Sequence, residues 1–409
     1  MFSRYLGKII SVIRQEGLFC ALKKFILATF LIIRPVGSGD VLFVSSGVVG
    51  NTSRFRVRNV AEELEKHGFK CSFAVQEHPL LPTYADKFSI FIFQQVNYTP
   101  QVEKIIKKIK KQNKEIIFDT DDLLFDPLYA KSQDFFEKSN ALMKKFYEKG
   151  VGTEFVNDPY VNVCTTTTSF LAEKLREHNK KVFVVPNKLS KKDIEIADGI
   201  LKAKKLMKLP ASTRGDRLST RGGKASRAIS IGYFSGALSH NKDFATITNI
   251  LLRIMEKYKN VELVLAGPLD IESELHKFSA RIKQLPFVSR EKHFENVAGV
   301  DINLAPLETG NPFCEAKSEL KFFEAGIVNV PTVAAATQTF REAITDGTDG
   351  FVANGEEEWF EKIEKLIIDE NLRKTMGGKA RQTALARYSI SSSNNEEHYE
   401  YLKSKIKSL

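Results

Sequence analysis

The chain has 409 residues, more than one hydrophobic core usually supports, so we expect two domains of roughly 150–200 residues. Apolar residues make up 43% of it and charged residues 27%, a balance that excludes a largely disordered chain. The net charge of +11 favours an anionic partner, which could be a membrane surface, a nucleic acid or a phosphorylated substrate.

Residues 1–39 form a basic segment with interspersed apolar residues. Its longest uncharged run, residues 25–33, is much shorter than the ~20 residues that a membrane-spanning helix needs. The pattern favours an amphipathic helix lying on anionic lipid, and a helix that packs on the protein's own core is the alternative. Cysteines are scattered without metal-ligand spacing, which indicates reduced thiols in a cytosolic protein.

Residues 40–187 predict a first α/β domain. The strands are DVLFVSS, CSFAV, IFIFQ, EIIF, VNVCTT and VFVVP, and helices separate them. Strands that are apolar throughout indicate a parallel sheet covered on both faces. One helix has Thr99 as its N-cap and Pro100 at its first position. Its outward lysines form either a solvated face or a membrane-facing surface; they are Lys104, Lys107, Lys108, Lys111 and Lys114.

Two loops of this domain follow strands, where ligands bind in open parallel sheets. The first carries Gly50, which lets the backbone approach a ligand, and Arg54. The second carries Asp121 and Asp122. An Asp-x-Asp pair suits a divalent metal, but we favour helix capping or loop ordering and predict no metal.

Residues 188–227 are basic and predict an exposed linker or loop; no aromatic residues interleave there to suit a nucleic-acid arm.

A second α/β domain is predicted over residues 228–387. Its strands are AISIGYFSG, VELVLAG, DINLAPL, Val330–Ala335 and FVANG, and its helices are Asp243–Tyr258, Ile271–Lys283, one from Ser318, Glu356–Glu370 and Asn371–Arg387. Residues 388–409 predict a C-terminal helix that packs back on the first domain.

The stretch NPFCEAKSELKFFEAGIVNVPTVAA, residues 311–335, contains the strongest candidate site. If Ser318 starts a helix, then Lys317, Lys321 and Glu324 lie on one face. The free N–H groups at the start of that helix suit a diphosphate, and the Glu324 carboxylate suits a diol such as a ribose. An exposed charged face with a Lys321–Glu324 pair is the alternative. His240, at a strand end, is either a satisfied loop histidine or a phosphate or sugar contact.

Several motifs resemble the retaining, GT-B-fold nucleotide-sugar glycosyltransferases of family four. They are GYFSG…HNKDF, VELVLAG, DINLAPLE with the stretch above, and DGTDGFVA. The motifs SRFRVRNVAEEL, FDTDDLLFD and VCTTTTSFLAEKL resemble a subgroup that builds bacterial surface polysaccharides. The resemblance covers most of residues 40–387. It implies two Rossmann-like parallel-sheet domains facing across a cleft, with the donor held mainly by the second domain and the acceptor by the first.

The resemblance also implies roles for individual residues. Glu324 matches the family's ribose-binding glutamate, and Lys317 and Ser318 lie where the donor's phosphate and sugar are contacted. In two places the chain departs from the family pattern. Ala316 replaces a frequent second glutamate, and Gly236 stands near the place of an arginine, which leaves Lys242 as the remaining cation.

We therefore expect a metal-independent, retaining glycosyltransferase without a cofactor. It would move a sugar from a nucleotide diphosphate sugar to a hydroxyl of a glycan or lipid-linked acceptor in surface-polysaccharide biosynthesis. The catalytic set is Lys242, Lys317 and Asp122; the donor contacts are Gly236, His240, Lys317, Ser318 and Glu324; the acceptor side is Gly50, Arg54 and Asp121. We expect an anionic membrane surface as a partner and no nucleic acid. The protein would lie at the cytoplasmic face of the cell membrane. The alternative is a non-catalytic membrane- or polyanion-binding protein on the same fold.

Overall fold

The computed structural model describes residues 34–46, 53–131, 148–206, 228–235, 241–267, 273–286 and 288–407, with isolated positions 22, 26, 29, 30, 32, 144 and 269. The chain divides into two compact units. The first unit comprises residues 1–188, 316–318 and 393–409, and the second comprises residues 189–315 and 319–392.

The first unit is built on six parallel strands in the order β2-β1-β3-β4-β5-β6. They are β1 Val41–Ser45, β2 Cys71–Val75, β3 Ile90–Gln94, β4 Glu115–Thr120, β5 Val163–Thr166 and β6 Lys181–Val184. Its helices are α1 Val60–Lys66, α2 Pro100–Lys111, α3 Pro127–Lys131, α4 Thr153–Val156 and α5 Ser169–Arg176, with a π-helix at Arg54–Asn59 and a 3₁₀ helix at Leu81–Asp86. The strand order reverses direction between β1 and β3, so the ligand-binding edge of this sheet lies at their carboxyl ends.

Local sequence signals explain the helix ends in this unit. The Thr99 hydroxyl accepts a hydrogen bond from the Val102 N–H at 3.3 Å and Pro100 opens α2, as predicted. The buried face of α2 is Val102, Ile105, Ile106 and Ile109. Gly68, just beyond α1, has a φ of +90°, a backbone conformation that glycine adopts without strain, and it ends the helix where the sequence indicated.

The second unit is also built on six parallel strands, in the order β12-β11-β10-β7-β8-β9. They are β7 Ile229–Phe234, β8 Val261–Ala266, β9 Ile282–Leu285, β10 Ile302–Ala305, β11 Thr332–Ala335 and β12 Phe351–Ala353. Its helices are α6 Lys191–Leu206, α7 Asn241–Ala245, α8 Thr248–Lys257, α9 Arg290–Ala298, α10 Pro312–Glu315, α11 Leu320–Gly326, α12 Gln338–Ala343, α13 Glu356–Ile368 and α14 Glu370–Tyr388. The strand order reverses between β7 and β10.

Two short 3₁₀ helices, Ser273–Arg281 and Ile390–Ser392, and helix α15 Glu396–Lys407 complete the described elements. The chain returns to the first unit at Ser393, and α15 buries Tyr399 and Leu402 in the core of that unit. The hydroxyl of Tyr399 also bonds the buried Glu63 carboxylate of α1.

The structure corrects three of the predicted elements. Residues 191–206, assigned to an exposed linker, form α6, because Ser190 and Asp193 cap it reciprocally and Ala197 packs on the second core. The helix predicted at Ile271–Lys283 is a 3₁₀ helix followed by β9, and the helix predicted at Asp243–Tyr258 is two helices, α7 and α8. Residues 207–227 of the predicted linker and most of residues 1–33 lie outside the described residues.

Candidate functional site

The carboxyl edge of the second sheet is the natural ligand-binding region of this unit. Strands β7 and β10 are neighbours, yet the chain leaves them in opposite directions, and such a switch point opens a crevice at the strand ends. The Lys321 ammonium lies 5.6 Å from the centre of the Tyr233 ring in β7, and Asn303 in β10 donates a hydrogen bond to the Lys321 carbonyl at 3.0 Å. These contacts place the start of α11 beside the switch point.

Glu324, in the second half of α11, lies in a network of charged side chains. Its carboxylate accepts a hydrogen bond from Nη1 of Arg290 through Oε1, and its Oε2 lies 3.2 Å from Nε2 of His293. Nε of Arg290 also donates to Oδ1 of Asp193 at 2.8 Å. The network joins three helices, α6, α9 and α11. The pairing partner of Glu324 is therefore Arg290, and not Lys321 as in the alternative interpretation of the sequence.

Electrostatics keep Glu324 ionised. Burial on its own would raise the pKa of this carboxyl, but the Arg290 guanidinium and the His293 imidazole outweigh burial and hold the pKa at about 2. The side chain remains 13% exposed, so a ligand can still reach it. An ionised carboxylate that is fixed in position and accessible is a suitable acceptor for ligand hydroxyl groups.

The helix start predicted at Ser318 needs correction. Helix α11 begins at Leu320, and the buried Glu319 precedes it. Burial raises the pKa of the Glu319 carboxyl, which indicates a low-dielectric setting around this helix start. With seven residues and an acidic group at its beginning, α11 is a poor anion seat. The structure thus moves the helix start from Ser318 to Leu320, and the phosphate contact expected there stays a prediction.

The other predicted donor residues are dispersed among the elements. Lys242 is exposed on α7. Lys317 and Ser318 are half-buried and belong to the first unit, where the Ser318 hydroxyl accepts a hydrogen bond from Nδ2 of Asn187 at 3.0 Å. Gly236 and His240 lie outside the described residues. The roles predicted for all five positions stay predictions.

On the acceptor side, Asp121 and Asp122 follow β4 directly. Oδ1 of Asp122 accepts a hydrogen bond from the Leu124 N–H at 2.8 Å, so Asp122 orders its loop as we expected. Burial raises the pKa of both carboxyls, and the neighbouring charge of Asp122 raises that of Asp121 further, to about 7. Arg54 opens the π-helix, and Gly50 lies outside the described residues.

A buried pair supports this edge of the first sheet. The Arg56 guanidinium forms two bonds with the Asp119 carboxylate, at 3.1 Å and 2.5 Å, and its Nη1 donates to the Val185 carbonyl at 2.6 Å. The Thr165 hydroxyl donates to Asp119 at 2.7 Å. The pair thus ties the π-helix to the ends of β4, β5 and β6. π-helical turns are frequent at functional sites.

Sequence reasoning missed Arg290, His293 and Asp193. A partial signal existed, because Ser289 followed by Arg-Glu-Lys-His-Phe predicts a capped helix, and Ser190-Lys-Lys-Asp193 has the spacing of a reciprocal cap. In the structure both caps are present. The pairing of Arg290 with Glu324 spans 34 residues and two helices, and no local pattern encodes it.

Within the described part of the chain, no group of three or more His, Cys, Asp and Glu side chains is arranged to hold a metal ion. The same residues contain no helix of the length and apolarity that crossing a bilayer requires.

Comparison with known proteins adds to this picture. Residues 230–369 match the family Glycosyl transferases group 1. The matched segment runs from β7 through α13 and contains Arg290, His293 and Glu324. Comparison with curated proteins gives no match.

Solved glycosyltransferase structures share the fold. HepE of Anabaena, solved in complex with UDP and glucose, has a TM-score of 0.56 and 13% identity over 91% of this chain and 100% of its own. A glycosyltransferase from Rickettsia africae has a TM-score of 0.58 and 13% identity over 90% of this chain and 99% of its own. Sucrose-phosphate synthase from Thermosynechococcus elongatus has a TM-score of 0.56 and 12% identity over 90% of this chain and 99% of its own. The predicted fold class, two Rossmann-like parallel-sheet units of the GT-B type, is confirmed.

Proposed function

We propose that this chain is a glycosyltransferase that moves a sugar from a nucleotide diphosphate sugar to a hydroxyl of a glycan or lipid-linked acceptor. The observation that carries the proposal is the ionised Glu324 at the switch point of the second sheet, within the segment that matches group 1 glycosyl transferases. The UDP and glucose in the HepE complex support a nucleotide diphosphate sugar as the donor class.

The reaction proposed is a same-face, retaining transfer that needs no metal and no cofactor. The bond between the anomeric carbon and the donor phosphate oxygen breaks as the acceptor oxygen bonds to that carbon. The departing phosphate oxygen takes the proton of the acceptor hydroxyl. Lys242 and Lys317 supply positive charge to the diphosphate, since stabilising the developing charge lowers the barrier. Glu324 positions the nucleotide through its ribose, and positioning contributes much of the remaining rate enhancement.

The first unit binds the acceptor in this proposal. Asp121 and Asp122 lie at the carboxyl end of β4, and a carboxylate there orients the acceptor hydroxyl by accepting a hydrogen bond from it. The motifs of this unit that resemble enzymes of bacterial surface-polysaccharide synthesis support a glycan or lipid-linked acceptor of that kind.

Turnover of a panel of nucleotide sugars, with a glycan or lipid-linked acceptor present, tests the proposal. We expect the wild type to release nucleotide, and Lys317→Ala and Glu324→Ala to lower kcat/KM by about tenfold or more, since each loses a charge-assisted contact of ~1.5 kcal/mol or more. Lys292→Ala is the matched control, because Lys292 is 58% exposed and pairs with Glu295. Equal nucleotide release by all four proteins, or none by any, contradicts the proposed site and favours the non-catalytic alternative.

We also propose that the first unit binds an anionic membrane surface, which places the enzyme peripherally on the cytoplasmic face. Helix α2 buries its apolar face and presents exposed lysines on the other, including Lys104, Lys108 and Lys111. Basic residues near an anionic lipid surface contribute ~1 kcal/mol each. Replacing the three by alanine should weaken sedimentation with anionic vesicles, whereas Lys202→Ala and Lys205→Ala on α6 should not. Unchanged sedimentation of the triple variant would remove α2 from the proposal.

A further inference from the structure

We infer that Arg290 and His293 are positioning residues for Glu324 and that Asp193 fixes Arg290, so that the site selects nucleotides with a free ribose diol. This inference rests on the proposed function and names residues that the donor site needs beyond Glu324. It is carried by the contacts among α6, α9 and α11 and by the packing of His293 against the last residue of β7.

The Glu324 carboxylate has a fixed orientation. A glutamate held by one donor can still rotate about its last side-chain bond, which has broad preferences. Here each carboxylate oxygen has its own donor, Oε1 from Arg290 and Oε2 from His293. Residues 290 and 293 are one turn apart on the same helix and therefore on one face. Two donors from one rigid helix fix the plane of the carboxylate.

Asp193 anchors Arg290. Its Nε donates to Oδ1 of Asp193 at 2.8 Å, and the other oxygen of Asp193 accepts from the N–H and hydroxyl of Ser190 at 3.0 Å and 2.8 Å. Asp193 is 1% exposed. The guanidinium is therefore held between two carboxylates by its fixed fork of donors, a geometry that lysine cannot reproduce.

The Glu324 carboxylate can accept further hydrogen bonds from a ligand. A carboxylate offers about four acceptor positions, and Arg290 and His293 occupy two of them at Glu324. The two that remain match the two hydroxyls of a ribose diol. Two carboxylates, those of Asp193 and Glu324, flank the single guanidinium of Arg290, an arrangement that attracts hydroxyl donors and repels phosphate. This balance turns the ribose of a nucleotide toward Glu324 and its diphosphate away.

The network lies beside the switch point of the second sheet. The His293 ring lies edge-on to Phe234, with centroids 5.7 Å apart at 86°. Phe234 is the last residue of β7, so His293 lies at the strand that forms one side of the switch point. The imidazole is 25% exposed, which leaves this edge of the network open to a ligand.

Nucleotide binding to the full chain tests the inference. Titration with UDP, GDP, CDP and ADP, each beside its 2′-deoxy counterpart, gives a ribo-to-deoxy affinity ratio. We expect about tenfold preference for the ribonucleotide in the wild type, the value of one hydrogen bond to a charged group. The ratio should approach one in Glu324→Gln, His293→Phe and Arg290→Lys. His293→Gln, which keeps a donor near the Nε2 position, should retain most of it, and Lys292→Ala should retain all.

The ratio does not depend on the fraction of folded protein, because both nucleotides are measured on the same sample. A wild-type ratio in His293→Phe and Arg290→Lys, together with a ratio near one in Glu324→Gln, would overturn the positioning role and leave the proposed function intact. A wild type that binds none of the nucleotides, or binds ribo and deoxy forms equally, would overturn both the inference and the ribose-binding role of Glu324.

Discussion

Removing the Arg290 guanidinium is the most informative perturbation of the second unit. In Arg290→Met, the carboxylates of Asp193 and Glu324 lose the cation between them, while a side chain of similar length remains. Breaking a buried pair by removing one partner typically costs about 3–5 kcal/mol. The electrostatics of Glu324 lead to a similar loss of stability. Holding its pKa at about 2 instead of the ordinary 4.5 corresponds to about 3 kcal/mol near neutral pH.

The cost should depend on pH in a defined direction. In the wild type the folded pKa of Glu324 is depressed, so its stabilisation is complete above about pH 4.5 and is lost as the pH falls toward 2. In Arg290→Met burial raises the pKa of Glu324 above its unfolded value. The folded variant then binds a proton more readily than the unfolded chain, and its stability rises as the pH falls from neutral. The difference between the two proteins should therefore shrink between neutral pH and about pH 5.

Urea unfolding measures this difference. The chain has a single tryptophan, Trp359, which is 6% exposed in the core of the second unit, so its fluorescence reports on that unit. The matched control is Lys292→Met on the same helix, for which we expect a change within about 0.5 kcal/mol. A loss below about 1 kcal/mol in Arg290→Met, or a loss equal at both pH values, would refute the reasoning.

Two further predictions concern other parts of the chain. A Cβ on Gly377 would lie 2.2 Å from the Asn329 carbonyl oxygen, so Gly377→Ala should lower the free energy of unfolding by about 1–3 kcal/mol. A Cβ on the neighbouring Gly378 would meet nothing within 4 Å, so Gly378→Ala should raise the free energy of unfolding by up to about 1 kcal/mol. Equal effects in urea would contradict this packing. Asp122→Asn removes a charge that raises the pKa of Asp121, so the acid limb of the pH profile of the transfer rate should move to lower pH. An unchanged acid limb would contradict a role for Asp121 in orienting the acceptor.

The fold was predictable where each element depends on its own residues. CSFAV and IFIFQ coincide with β2 and β3. All five residues of β3 are buried, because a strand covered on both faces needs an apolar run. β9, Ile282–Leu285, was missed because it is an edge strand with one partner, β8, and two of its four residues are exposed. Edge strands carry polar residues, and this one resembled a continuation of the helix before it.

The candidate site was predictable only in part, because its chemistry depends on long-range contacts. Residue spacing and the family resemblance were enough to select the stretch around Glu324 as the candidate site. The neighbours that set its charge were not, since Asp193 and Arg290 are brought to it by helices α6 and α9. The same limit applied to residues 191–206, where basic composition obscured the apolar spacing of Ile194, Ala197 and Ile200 that packs α6 on its core.

A crystal structure with a non-transferable nucleotide sugar tests the central claim most directly. We predict that the ribose hydroxyls lie within about 3 Å of the Glu324 carboxylate, with the bonds from Arg290 and His293 still in place. A nucleotide bound elsewhere on the chain, with Glu324 contacting neither its ribose nor its phosphates, would contradict the account.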